Sequence, residues 1–219
     1  MKPFEKASLQ VDIVSDVVCP WCIIGYKQLE EAIKRTGVSV DIRWHPFELN
    51  PQMVEEGEGI REHMAAKYGT TPEGSRAARK QLSDLGASLG IVFNYSDETR
   101  IYPTFRLHQL LHWADTQGRK HELKMALFTA YFTGCKNIND LDVLVATAGS
   151  LGFDTDEARA VLEDGRYADV VREAENTWIG RGIRGVPAMV FNRRHLVTGA
   201  QGVDRYVGIL EELTENVEA

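Results

Sequence analysis

The sequence predicts an α/β protein: a small sheet domain interrupted by a long, all-helical insertion. Three observations carry that prediction. The chain opens with a strand, helix, strand succession; its middle holds apolar residues only at helical spacing; and past Gly185 two strands and a last helix return. That order places the helical block inside a sheet domain rather than after it, with residues 9–55 and 181–219 in the sheet domain and 56–180 in the insertion. A length of 219 residues, about one and a half typical domains, leaves room for both.

Leu9, Val11 and Ile13 alternate with Gln10 and Asp12, the two-residue period of a half-buried strand. Cys22, Tyr26, Leu29 and Ile33 then share one face of a helix, and Gly37 sits where that helix should stop. Val40, Ile42 and Trp44 alternate with Asp41 and Arg43 as a second strand, closed by a loop between Pro46 and Pro51. From 56 to 180 no strand is expected. Stripes at Ala78, Leu82, Leu85 and Leu89, at Leu107, Leu110, Leu111 and Ala114, and at Leu123, Ala126, Leu127 and Ala130 read as helix-bundle core. Two more follow, at Leu141, Leu144, Val145 and Ala148 and at Tyr167, Val170, Val171, Ala174 and Trp178, with Asp154 and Glu157 resembling a capping box between them. Pro187 to Phe191 and Leu196–Val197 read as strands joined by a turn over Asn192 to His195. Val203, Tyr206, Val207 and Leu210 mark the final helix.

Composition excludes several classes. With 25 basic against 32 acidic side chains the net charge is −7, a poor starting point for binding nucleic acid. Hydrophobic residues at 43% and charged ones at 26% describe a folding chain, not a disordered one. No apolar run approaches the roughly 20 residues that span a bilayer. Met1 to Ser8 holds two lysines but no apolar core of a signal peptide, so a cytoplasmic location is expected. Three cysteines cannot build a disulfide framework, and two of them lie three apart.

That pair, Cys19-Pro20-Trp21-Cys22, spans a strand-to-helix junction. A thiol at a helix N-terminus faces unpaired backbone N–H groups and the positive end of the helix dipole, which favour the nucleophilic thiolate. Cys19 is so placed, as an exposed attacking sulfur. Cys22, one turn on, shares the apolar stripe and should be the more buried. Pro20 suits the first helical turn, and Trp21 should shield one side. Disulfide exchange requires this pairing of an attacking sulfur with a second one in reach. Zinc would need two further ligands at suitable spacing, which the sequence does not offer. A structural cysteine pair without chemistry stays open. Val186-Pro187 precedes the returning strand; an X-Pro bond takes the cis form cheaply, although a trans proline opening a strand is the ordinary case.

CPWC at a strand–helix junction, a long helical insertion and a late Gly-Val-Pro before a β-hairpin together resemble the thioredoxin-fold DsbA family. The likeness is greatest to its cytoplasmic FrnE-like branch, through Asp16 to Gly25 (DVVCPWCIIG), Arg43 to Pro51 (RWHPFELNP), His112 to Thr133 and Gly185 to Gln201. The resemblance implies a thioredoxin-like fold with a large all-helical insertion, and a thiol–disulfide oxidoreductase acting as reductase or isomerase. It implies that Cys19 attacks and Cys22 resolves, with Pro20 and Trp21 as active-site neighbours. It also implies a cis Pro187 packed beside the disulfide, with Val186 pairing backbone groups with an extended substrate. The expected substrate is a disulfide- or thiol-bearing protein or small molecule. No bound cofactor or metal is expected, and glutathione is the candidate reductant or co-substrate. Architectural cousins, the kappa-class glutathione transferases and 2-hydroxychromene-2-carboxylate isomerases, supply an alternative: glutathione-dependent chemistry on small aromatic substrates. They tend to lack the second cysteine, so Cys22 favours the redox reading. A non-catalytic binding protein is a third class.

Other signals are set aside. Gly180 to Gly185 matches G-x-G-x-x-G but precedes a strand, so it reads as a loop. His108 and His112 lie four apart without the glutamate or third ligand of a zinc site, and His45 likewise reads as structural. Cys135 departs from the family pattern and is expected to be inert. Arg181, Arg184, Arg193 and Arg194 crowd the segment around Pro187 and read as a solvated face. If the loop packs against Cys19, one of the upstream arginines, Arg181 or Arg184, is the candidate to reach its thiolate or a glutathione carboxylate.

Overall fold

The computed structural model describes residues 8–218, with side chains to residue 215. The segment read for a leader, Met1 to Ser8, lies outside them except for its last residue. The central strand, β1 (Leu9–Ser15), is paired in parallel with β2 (Val40–Pro46) and antiparallel with β5 (Ala188–Phe191), which pairs antiparallel with β6 (His195–Thr198). The sheet order is β2-β1-β5-β6. The crossover between β1 and β2 is α1 (Pro20–Thr36), which ends at Gly37 with φ 66° and its N–H on the Ile33 carbonyl at 2.9 Å. The last helix, α9 (Val203–Glu218), packs beside α1.

β1 is more buried than its alternation predicts. Val11 and Ile13 join the core that includes Leu29, Tyr206 and Leu210, while Val14 packs with Phe47, Trp178, Ile183 and Ala188 in a second cluster. Asp12 is buried as well, and it accepts hydrogen bonds from Gln10 Nε2 at 2.6 Å and contacts His45 Nε2 at 2.8 Å. A central strand covered on both faces has no solvent side, so its polar position needs partners in place of water.

Between β2 and β5 run α2 (Ile60–Tyr68), α3 (Pro72–Ser88), α4 (Phe105–Asp115), α5 (Lys120–Phe132), α6 (Leu141–Ser150), α7 (Thr155–Asp164) and α8 (Ala168–Gly180). The block is not free of strand, contrary to expectation: β3 (Glu58–Gly59) pairs antiparallel with β4 (Arg100–Ile101). Two-residue strands are too short to show a period. This ladder is tied by the Arg100 guanidinium, which donates to the Glu56 and Gly57 carbonyls at 3.1 and 2.8 Å. One buried apolar cluster runs from β1 and α1 into α4, α5, α6 and α7. Val170 leaves its predicted stripe and faces solvent, whereas Val171 and Trp178 point inward. Asp154 caps α7 by accepting the N–H groups of Asp156 and Glu157, but the Glu157 carboxylate pairs with Arg166 at 2.8 Å rather than closing a box. The hairpin turn is shorter than read: Asn192 and Arg193 adopt positive φ, and β6 already begins at His195.

At Gly25 α1 comes close to the loop before β5. A Cβ there would lie 3.3 Å from Pro187 Cγ and 3.4 Å from Met189 Cε. Gly25→Val is therefore expected to cost about 1–3 kcal/mol through overpacking, despite the better helix propensity of valine. A urea midpoint at or above that of the parent would show that the loop gives way freely.

Candidate active site

Cys19 is the N-cap of α1, extended at φ −88°, ψ 111°, and its side chain caps nothing; Pro20 opens the first turn. The turn is tight because the Cys19 N–H reaches the Asp16 carbonyl at 3.3 Å and the Cys22 N–H reaches the Cys19 carbonyl at 3.1 Å. Both sulfurs are free thiols. Their order of burial is as predicted, but Cys19 is not an exposed sulfur: it is 4% exposed against 0% for Cys22. The loop before β5 covers it. The Val186–Pro187 peptide is cis, and Cys19 Sγ lies 3.6 Å from the Val186 carbonyl oxygen, to which it donates. Pro187 is buried and Val186 half-buried. Trp21, expected as a shield, is 46% exposed and presents its indole to solvent.

The two sulfurs are inequivalent. Burial pushes the Cys22 thiol well up, and its hydrogen bond to Cys19 and the charge there push the same way. A backbone hydrogen bond from Asp16 and the Lys124 ammonium oppose this. A dithiol so arranged keeps its inner proton at neutral pH.

Beneath the dithiol lies a polar cluster that sequence reasoning missed. Lys124, from α5, is 1% exposed, and its Nζ donates to the Ser15 carbonyl at 3.4 Å; burial pulls its pKa down to about 8. Asp16 is fully buried. One carboxylate oxygen accepts the Leu49 N–H at 2.8 Å, and the other has no hydrogen bond but lies 3.6 Å from His108 Nε2. His108 Nε2 also faces the Phe47 carbonyl at 3.2 Å, so that nitrogen carries the ring proton; burial holds the imidazole below its usual pKa. The only sequence signal for Lys124 is a lysine one position after Leu123, beside an otherwise apolar helix face. Nearby, Glu48 and Glu175 share Arg172. Burial, with Glu48 adding to it, pushes Glu175 up to about 7.

Other singled-out residues lie elsewhere. Arg184 does not reach the thiols: it is exposed, as the solvated-face reading expects, and its Nη1 donates to the carbonyls of Ile179, in the last turn of α8, and Ile183, three residues past its end. Arg181 stacks on Trp178, 4.8 Å from its centroid, and Arg193 and Arg194 are exposed on the hairpin. His45 is held between Asp12 and the Trp178 ring, and His112 lies against Tyr167. Cys135 is exposed, with Sγ donating to the Asn94 carbonyl at 3.0 Å. Among the described residues no three His, Cys, Asp or Glu side chains converge on a possible metal site, and no helix is long and apolar enough to cross a membrane.

A cysteine at the N-cap position of a helix, a second cysteine one turn behind it and a cis-proline loop against the first form a single constellation. The family model described as the DSBA-like thioredoxin domain matches residues 10–211. The chain belongs to that family. A structure described as a probable DsbA oxidoreductase from Streptomyces coelicolor is 33% identical with a TM-score of 0.87, covering 93% of this chain and 89% of that one. The Bacillus subtilis protein YwbO is 27% identical over 198 residues, 90% of this chain and 93% of that one. The cytosolic disulfide reductase DsbM of Pseudomonas aeruginosa, solved with GSH, shares the fold at 19% identity and a TM-score of 0.60, covering 95% and 97%. In this DSBA-like chain the fold is therefore thioredoxin-like and helix-rich, and the family is one of thiol–disulfide oxidoreductases.

Proposed function

We propose that this protein is a thiol–disulfide reductase or isomerase of the FrnE-like branch, working in the cytoplasm. In this reading the Cys19 thiolate attacks one sulfur of a substrate disulfide; the substrate S–S bond breaks, one substrate thiolate leaves, and Cys19 holds the other sulfur in a mixed disulfide. Cys22 then gives up its proton and attacks Cys19 Sγ, releasing the second substrate thiolate and leaving a Cys19–Cys22 bond. The substrate gains two electrons and the CPWC pair loses them. Two equivalents of a thiol such as glutathione restore the dithiol and become a disulfide themselves. The observation that carries the reading is the Cys19 sulfur at the N-cap, against the Val186 carbonyl, with the fully buried Cys22 thiol directly behind it. The glutathione-bound DsbM relative supports the choice of reductant and compartment. Val186 would pair its backbone with an extended substrate, Pro187 would pack on the sulfurs, and Trp21 would offer its exposed indole to the substrate.

Cys22→Ser is the test. Without a resolving thiol, Cys19 should hold its substrate, and intact-mass measurement of protein from cells is expected to show protein-sized adducts that reductant removes. Glutathione adducts alone would remove protein disulfides as the substrate and leave a glutathione-linked reductase or glutathione-dependent transfer or isomerisation on small aromatic molecules. An unadducted Cys19 would overturn the redox mechanism.

A further inference from the structure

The sheet has two edges, and they differ. The outer edge of β2 faces the helical block, where Lys120 Nζ takes the Trp44 carbonyl at 3.1 Å. β6 has no such cover: His195, Leu196 and Thr198 are exposed, Leu196 at 51%. Which of its backbone groups face outward follows from the register. The Gly199 N–H donates to the Pro187 carbonyl at 2.8 Å, and Val197 and His195 lie opposite Met189 and Phe191. Bonding direction alternates residue by residue in an antiparallel ladder. Gly199, Val197 and His195 therefore turn their backbone groups to β5, and Thr198 and Leu196 turn theirs away. On that outer side Gln201 Nε2 donates to the Thr198 carbonyl at 2.5 Å. Among the described residues nothing is bonded to the N–H or carbonyl of Leu196, or to the Thr198 N–H.

Two cations stand at the start of this row. Arg193 and Arg194, in the turn that opens β6, are exposed, and among the described residues no carboxylate lies within 4.0 Å of either guanidinium. An edge strand with free donors and acceptors is a template for one more strand, and flanking charges select what is added. Salt screens exposed charges beyond about 8 Å, so these arginines, rather than the net charge of −7, set the local sign. We propose that β6 is a docking edge for an extended, acidic segment of a partner protein, added antiparallel with its carboxylates beside Arg193 and Arg194. The edge ends at Gly199, bonded to Pro187, so the added strand runs to the cis-proline loop. Its binding needs neither thiol.

Fluorescence anisotropy of the full-length reduced protein with a labelled peptide of alternating threonine and valine, ending in two glutamates, tests this. It is expected to bind at least about tenfold tighter than the same peptide ending in two lysines, the scale of two surface ion pairs against two repulsions. N-methylation along the peptide's bonding edge should weaken binding at least about tenfold, because main-chain hydrogen bonds hold an added strand. Leu196→Pro removes an outward donor and no bond to β5, so it is expected to keep the parent's melting temperature and to lose the peptide. Arg194→Glu is expected to remove the preference for glutamate over lysine. Equal binding of the lysine or the N-methylated peptide by the parent would overturn the proposal, as would unaltered binding by Leu196→Pro. No binding of the glutamate peptide at about 1 mM would overturn it too. The two peptide comparisons decide the matter without a variant if Leu196→Pro fails to fold. A dimer of the free protein in sedimentation, abolished by Leu196→Pro, would assign the edge to a second copy and overturn the acidic occupant. Repeating the titration on Cys19→Ser/Cys22→Ser, where peptide binding should persist, separates failure of this site from failure of the redox reading.

Discussion

Cys19→Ser is expected to lower catalysed disulfide reduction by about a thousandfold or more, the scale on which loss of a covalent nucleophile acts. The folded state should barely register it. A serine hydroxyl fills nearly the same space at the N-cap of α1, is a good capping group, and can still donate to the Val186 carbonyl. The change in stability is therefore expected within about 1 kcal/mol, which separates chemistry from structure in a single variant. Cys22→Ser should behave differently, keeping the first attack and losing turnover. Single-turnover reaction with a disulfide-linked chromophore distinguishes the two. A burst from Cys22→Ser and none from Cys19→Ser is expected. A burst from Cys19→Ser would mean that the buried sulfur is the attacker and would reverse the proposed roles.

The dithiol was legible in the sequence because it is local, and the cis-proline loop only through the family resemblance. Strand, CPWC and helix follow one another within a few residues, so the N-cap position of Cys19 follows from the spacing of Cys22, Tyr26, Leu29 and Ile33. The sheet was legible for the same reason, and the two-residue β3–β4 ladder was not, having no period to show. What the sequence concealed is long-range. The cover over Cys19 comes from Val186, 167 residues away, and turns an expected exposed sulfur into a buried one. Lys124 and His108 reach the underside of the site from the helical block, 109 residues from Ser15 and 61 from Phe47. On a helical wheel a lysine or histidine at the margin of an apolar stripe looks like a solvated flank. Only the packing of α4 and α5 on the end of β1 makes it interior. Arg184 fits its reading as part of a solvated face: it is exposed, and its guanidinium is held by the Ile179 and Ile183 carbonyls.

Lys124→Met is expected to raise stability at neutral pH, and by an amount that shrinks as the pH rises. The Lys124 pKa is pulled from the ordinary 10.5 down to about 8 by burial. Below pH 8 the lysine is charged whether the chain is folded or not, and the folded state bears the full cost of the buried cation. Between pH 8 and 10.5 the folded chain sheds that proton while the unfolded chain keeps it. The unfolded state then binds more protons, so stability rises with pH across this window, by about 3 kcal/mol from this group. Methionine has nothing to titrate. In a Cys19→Ser/Cys22→Ser background, which removes the thiol titrations, urea unfolding at pH 7 and pH 10.5 should show the advantage of Lys124→Met shrinking by about that amount. A difference independent of pH would place the native pKa near 10.5 and contradict the burial argument. With the cysteines intact the same substitution should slow resolution, because the field that opposes protonation of Cys22 is that of Lys124. Mixed disulfides on Cys19 should then persist longer than in the parent. The Lys124 charge opposes folding and favours the Cys22 thiolate over the same range, below about pH 8 where the folded lysine keeps its proton, and the two assays read these two effects independently.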